Sequence, residues 1–257
     1  MPKYTHSVAR DTLVAFLDKT LNISAIKDES RNGLQVEGSD RVTRVAVAVD
    51  ACMEIYRRAA AQRCDMLIVH HGIIWDGIRA VRGPVRRQLA YLLKAELNLY
   101  AAHLPLDLHA EYGNNIRLAR LLGLKKPELF GEYHGLRIGY KGVIPGGTTA
   151  AAIARKLKTA CGGEPRVIAA GPGRVRTVGI VSGGGASNLN DAIAEGIDCF
   201  VTGEPAHWNY HAAREAGINV VYGGHYETET VGVQALAGLI RKRYGLPCVM
   251  LDLPTPI

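Results

Sequence analysis

Cys64-Asp65-Met66-Leu67-Ile68-Val69-His70-His71-Gly72 is an apolar run with one β-branched pair that stops at two imidazoles and a glycine. It reads as a strand that ends in chemistry. Side chains alternate faces along a strand, so neighbouring histidines can serve one site only where the strand frays and the backbone turns, which Gly72 is expected to permit. Two metals side by side would use both rings. Upstream, residues 42–49 are an apolar strand ending at Asp50, and residues 51–62 carry a helical pattern. Strand, helix and strand at these lengths predict a right-handed βαβ crossover in a parallel sheet.

Further out, residues 7–21 place Leu13, Phe16, Leu17 and Leu21 on one face at helical spacing, with Ser7 positioned to cap. Asn32-Gly33-Leu34-Gln35-Val36-Glu37-Gly38 reads as a turn feeding a short strand. Beyond the histidines come a loop at 77–84, a helix at 85–96 and a strand at 97–102. That strand ends in Ala101-Ala102-His103-Leu104-Pro105-Leu106-Asp107, where leucine and proline predict a loop between His103 and Asp107. Residues 114–122 read as a helix stopped by Gly123. A strand at 136–144, a helix at 148–160 and a strand at 166–170 follow.

The chain then repeats itself. At a shift of about 133 positions, Val45-Ala46-Val47-Ala48-Val49 overlies Val178-Gly179-Ile180-Val181-Ser182, Asp65 overlies Asp198, and His70-His71 overlies Gly203-Glu204. At a slightly smaller shift, Tyr100-Ala101-Ala102-His103 overlies Tyr222-Gly223-Gly224-His225, which puts Asp107 on Glu229. The expected architecture is an α/β fold of two similar α/β lobes from an internal duplication, residues 1–125 and 126–257. Mostly parallel sheets flanked by helices are expected, with a dinuclear metal site between the lobes.

A length of 257 residues, 47% hydrophobic and 21% charged, is a globular composition that excludes a disordered chain. The net charge of +7 is scattered over the sequence and reads mostly as solvated surface, leaving DNA as a weakly supported partner. Five widely spaced cysteines without a C-x-x-C pair argue for a reducing compartment and against a zinc ribbon or disulfide framework. No secretory signal or membrane-spanning stretch is read, so a soluble cytoplasmic protein is expected.

Ligand sites in open α/β sheets lie at the carboxyl ends of strands. If the halves pack about a pseudo-twofold axis, six N or O donors meet: His70, His71, His103, Asp107, His225 and Glu229. A carboxylate that bridges two cations, with histidines at each end, equips a two-metal hydrolytic centre. Imidazole and carboxylate suit zinc, manganese, iron or nickel equally. Gly183-Gly184-Gly185 reads equally well as a phosphate cradle or as a tight strand-to-helix turn. His6, His134, His207 and His211 are assigned no role, and His109 is a neighbour of the site without being a ligand. The absence of G-x-x-x-x-G-K-[ST] excludes a P-loop triphosphatase.

In Asn32 to Gly38, Val69-His70-His71-Gly72, His103-Leu104-Pro105-Leu106-Asp107, Gly113-Asn114-Asn115, Thr202-Gly203-Glu204, Gly224-His225 with Glu229, and Leu251-Asp252-Leu253-Pro254, the chain closely resembles the YbgI-type proteins of the Nif-three-like family, the GTP cyclohydrolase type 2 homologues. The resemblance runs over nearly the whole length. It implies a two-domain α/β fold, two divalent metal ions per subunit and a toroidal homohexamer built as a trimer of dimers. The implied metal ligands are His70, His71, Asp107, His225 and Glu229, with Glu229 as the bridge. His103 matches a site histidine not counted as a ligand, which leaves it as the candidate catalytic acid or base. Two positions depart from the family pattern: Tyr226 stands where a second histidine is usual, and Thr230 where an arginine follows the bridging glutamate.

Two functions are therefore expected to compete. One is a metal-dependent hydrolase acting on a nucleotide-like or phosphorylated small molecule, with Arg79 and Arg82 just past the histidines. The other is a ring-shaped regulatory protein that binds nucleic acid or protein and keeps the metal pair for structure.

Overall fold

The computed structural model describes residues 6–255. The chain divides into two compact units, one taking the chain up to Leu106 and then Val233–Leu253, the other Asp107–Gly232 and the residues from Pro254. The expected single cut after residue 125 is not where the packing divides. The C-terminal strand forms its ladder with the first unit, so that unit is discontinuous in sequence.

The first unit opens with β1 (Val8–Ala9), α1 (Arg10–Leu21), β2 (Gly33–Val36) and β3 (Arg41–Val42), β1 and β3 forming a small antiparallel pair. Ala9, not Ser7, is the N-cap of α1, because Ser7 lies outside the helix and its hydroxyl accepts from Arg41 instead. Then come β4 (Val45–Asp50), α2 (Met53–Ala61), β5 (Met66–His71), α3 (Gly83–Lys94) and β6 (Asn98–Ala101). Three of the four pairings in this sheet are parallel, including the predicted crossover from β4 to β5; β2 on the edge is antiparallel to β6. Both faces of β4 and β5 are covered, so the uninterrupted Val-Ala and Leu-Ile-Val runs are buried throughout. His103 and Asp107 are joined by a single helical turn, α4 (Leu104–Asp107), where a loop is expected; Pro105 occupies an early helical position that needs no N–H partner.

The second unit contains α5 (Asn114–Leu122), β7 (Lys125–Tyr133), β8 (Leu136–Thr148), α6 (Ala150–Cys161), β9 (Arg166–Ile168), β10 (Val175–Val181), α7 (Leu189–Ala194), β11 (Cys199–Thr202), α8 (Asn209–Ala216) and β12 (Asn219–Tyr222). The expectation of a mostly parallel sheet is corrected here. Only β10–β11 and β11–β12 are parallel, while β7–β8, β8–β10 and β12–β9 are antiparallel. For β7–β8 the cause is local: His134 and Gly135 both take positive φ (50° and 80°), the two-residue turn that closes a hairpin. The 20-residue helix α9 (His225–Tyr244) follows, then β13 (Cys248–Met250), which pairs with β4.

Each sheet begins its parallel core with the same device. Asp65, just before β5, accepts the amides of Thr43 and Arg44 (2.6 and 3.1 Å); Asp198, just before β11, accepts those of Arg176 and Thr177 (2.7 and 2.9 Å). Asn98 at the start of β6 accepts from Gly38 N and donates to Ser39 O and Asp65 O. Asn219 at the start of β12 repeats this with Gly171 N, Pro172 O and Asp198 O. Strand register pairs Ile68 with Tyr100 and Val201 with Val221, so Tyr100 corresponds to Val221 and the Tyr100–Tyr222 match is one residue out of register.

Among the described residues no helix is long and apolar enough to cross a membrane.

Candidate metal centre

In the first unit, β5 and the end of β6 deliver three imidazoles to one place. His70, His71 and His103 each offer a ligand atom within 4.8 Å of the others, and the ring centroids lie 4.7 to 5.6 Å apart. Each ring is tied at Nδ1. His70 Nδ1 donates to Ala102 O (2.8 Å), His71 Nδ1 to Asp50 Oδ1 (2.8 Å), and His103 Nδ1 to both oxygens of Asp28 (3.0 Å). Anchoring at Nδ1 fixes the tautomer in which Nε2 is the coordinating or proton-accepting atom, the arrangement that orients histidines at metal sites.

Both adjacent histidines lie within β5, so the fraying expected at Gly72 is not what brings them together. Gly72 has no positive φ; a Cβ there would come within 2.4 Å of the Gln35 side chain. Gln35 Oε1 accepts the amides of Ile73 (2.8 Å) and Ile74 (3.3 Å), so the glycine clears space for a side chain that turns the loop.

Asp28 is almost fully enclosed, and its carboxyl lies at about 2. Burial pushes it up, but the hydrogen bond and charge of His103 outweigh this, helped by Asn32 and the Ser30 amide. Trp75 closes this side, its indole N–H donating to Gly72 O (3.0 Å) and its ring edge-on to His103 at 5.0 Å.

The second unit builds its donors differently. His225 and Glu229 sit on the first turns of α9, with His225 Nε2 3.3 Å from Glu229 Oε1 and Nδ1 3.0 Å from Glu204 Oε2. Burial lowers the His225 pKa, but the hydrogen bonds and charges of Glu229 and Glu204 overcome it and raise it to about 9. The same carboxylates that attract a proton there would attract a divalent cation. Glu229 is buried, and the chain makes room for it with Gly183: φ is +60°, and a Cβ would lie 2.0 Å from Glu229 Oε1. The glycine run at 183–185 is thus a tight turn in which Gly183 leaves room for Glu229 and Gly185 for Val181 and Thr202. Asp107, also buried, accepts from Asn114 Nδ2 (2.8 Å) and Ser182 Oγ (3.3 Å), while Asn114 Oδ1 accepts Gly232 N from α9. This accounts for the buried Asn114-Asn115 pair, since Asn115 in turn bonds Ile138 O and Ser182 N.

His109 Nδ1 accepts the Glu111 and Tyr112 amides and so stabilises a turn. Sequence reasoning missed Asp28, Asp50 and Glu204 as histidine partners. Asp50 and Glu204 carried a signal, each standing at a strand end; Asp28 lies in a polar stretch with none. Three imidazoles anchored from behind fit a divalent transition metal in the first unit.

The family model Duf34/NIF3 (NGG1p interacting factor 3) matches residues 8–256. A protein of Archaeoglobus fulgidus named GTP cyclohydrolase 1 type 2 homolog is 50% identical over 243 residues, covering 95% of this chain and 97% of its own. A solved structure described as protein ybgI, of unknown function, aligns with a TM-score of 0.90 at 34% identity over 97% of this chain and 100% of that one. One from Thermus thermophilus aligns at 0.88 with 44% identity and the same coverage. The family model and these relatives, spanning nearly the whole chain, place it in one family: it belongs to Duf34/NIF3.

Proposed function

We propose that the chain is a metal-dependent hydrolase of a nucleotide-like or phosphorylated small molecule. In this reading His70, His71, Asp107, His225 and Glu229 hold two divalent ions, with Glu229 as the bridge. The observation that carries it is the trio His70, His71 and His103, each ring fixed through Nδ1 by a carboxylate or carbonyl. Zinc, manganese, iron or nickel would supply Lewis acidity that activates water near neutral pH. His103 moves the proton at Nε2, and Asp28 holds the ring for it. The duplicated Asp-to-amide and Asn-to-loop devices support a common origin for the two units.

Elemental analysis after metal-supplemented expression is expected to find about two ions per chain; one or none removes the dinuclear reading. Turnover of nucleotides and phosphoesters with added Mn²⁺ or Zn²⁺ tests the reaction. His103→Ala is expected to keep both ions and lower turnover by roughly 10² to 10⁴-fold, the usual worth of a positioned acid or base. Loss of an ion in parallel with activity would instead make His103 a ligand.

The net charge of +7 favours a second reading, a homohexameric ring that binds DNA. Such binding must fall steeply with salt. Light scattering that reports a monomer would remove it.

A further inference from the structure

A cleft of about 350 Å³ in the second unit opens beside His225, between α9, the turn after α6, and the ends of β9 and β12. Two charged side chains that line it are left unmatched among the described residues. Behind its wall the Tyr222 hydroxyl is buried and has no hydrogen-bond partner among the described residues. The half-buried Glu227 carboxylate has no hydrogen bond or ion pair among the described residues, and neither has the exposed guanidinium of Arg166. Buried polar groups without partners are rare and call for an explanation.

Glu227 is also built in. Gly163 and Gly224 take positive φ (69° and 92°), and a Cβ at either would come within 2.9 and 1.9 Å of the Glu227 side chain. Two glycines in left-handed backbone thus clear the space in which this carboxylate sits. Pro205 and the Tyr222 ring supply apolar wall. The volume is at the small end for ligand pockets, the size of a heterocycle.

We propose that this cleft binds an amino-substituted heterocycle carrying a phosphate, its N–H donors on Glu227 and its anion at Arg166. The two opposite charges stand unpaired in one cleft, so a ligand with N–H donors at one end and an anion at the other satisfies both. The proposal names the substrate class for the reading above and depends on it only for the cleft's place beside the metal ligands.

The test is equilibrium binding to the metal-supplemented full chain, without turnover. The probes are AMP against IMP and CMP against UMP, pairs in which an exocyclic amine is exchanged for a carbonyl. A site whose acceptor meets the amine rejects the carbonyl analogue, so the amine member of at least one pair is expected to bind about 10-fold tighter or better. Glu227→Gln keeps the shape, but an amide can serve amine or carbonyl alike. It is expected to collapse the ratio to about threefold or less with metal content unchanged. Arg166→Ala, on the surface, is expected to weaken both members of the pair equally, about 10-fold. No discrimination in either pair, or discrimination that survives Glu227→Gln, overturns the proposal. A chain that lacks two ions yet discriminates retires the dinuclear reading and keeps the cleft.

Discussion

The two units start their parallel strands with matching aspartate and asparagine contacts to the backbone and finish them differently. At the N-terminal ends, Asp65 and Asp198 receive the same two backbone amides, and Asn98 and Asn219 make the same three backbone contacts. At the C-terminal ends, β5 stops in His70-His71 whereas β11 is followed by Gly203-Glu204. After β6 comes one helical turn, after β12 a helix of 20 residues. The ends that hold the backbone together are alike, and the ends that carry donors differ. A sheet needs its strand starts satisfied whatever it binds, while strand ends are free to vary with chemistry.

The largest expected effect tests the differing ends. Gly183→Ala puts a methyl group into Glu229 and forces a side chain into left-handed backbone, so about 3 kcal/mol of stability and at least one ion should be lost. Gly72→Ala meets only the end of Gln35 with no φ strain, and about 1 to 2 kcal/mol is expected. Denaturant melts and metal analysis on both variants check this; equal losses would mean that both turns are limited by the same constraint.

Asp65→Ala and Asp198→Ala test the matching ends. Asp65→Ala removes a charged acceptor from two amides and the Thr43 hydroxyl, Asp198→Ala from two amides, so each should cost about 2 to 3 kcal/mol, Asp65→Ala the more. A chemical-denaturation difference well above about 1 kcal/mol between them would show that the matching hydrogen bonds are not matching in strength.

Asp28 gives the first unit a pH dependence at the acid end, whereas the raised His225 of the second unit titrates on the alkaline side. The Asp28 carboxyl drops from 3.8 to about 2, which contributes about 2 kcal/mol that is complete above about pH 4 and lost as pH falls toward 2. Asp28→Asn should therefore be less stable than the parent chain at pH 6, with the gap closing on acidification. A gap that is constant with pH would show that the carboxylate's charge is not what holds His103.

How much of this was legible follows from burial. The sequence reading locates β4, β5 and β6, because their Val, Ala, Leu and Ile runs are enclosed on both faces, and α5, whose Gly123 stop takes φ +85°. It assigns nothing to β7, whose polar residues and Pro127 fit an edge strand exposed along most of its length. It also assigns no helix to 225–244, where Val233, Leu236, Ala237 and Ile240 are buried but the first turns are buried as well, blurring the helical stripe. The donors His70, His71, His103, Asp107, His225 and Glu229 were visible as polar residues at strand ends. Of their supports, Asp28 and Gln35 were not, because they act across loops that no periodicity marks.

The smallest effect would separate the two units most cleanly. The chain's two tryptophans, Trp75 and Trp208, stand the same number of positions apart as Asp65 and Asp198, and they are 39% and 41% exposed. Trp75 lies edge-on to His103 and 6.2 Å from His71, whereas Trp208 has no ring partner among the described residues. A cation arriving at the histidine trio changes the charge against one indole and not the other. Trp208→Phe, which leaves Trp75 as the reporter, should show a change of emission on titration with Zn²⁺, and Trp75→Phe should stay nearly flat. Equal changes in both variants would mean that the emission follows a change in the whole chain and carries no information about the trio. A change in Trp75→Phe alone would mean that the first ion binds away from the histidine trio.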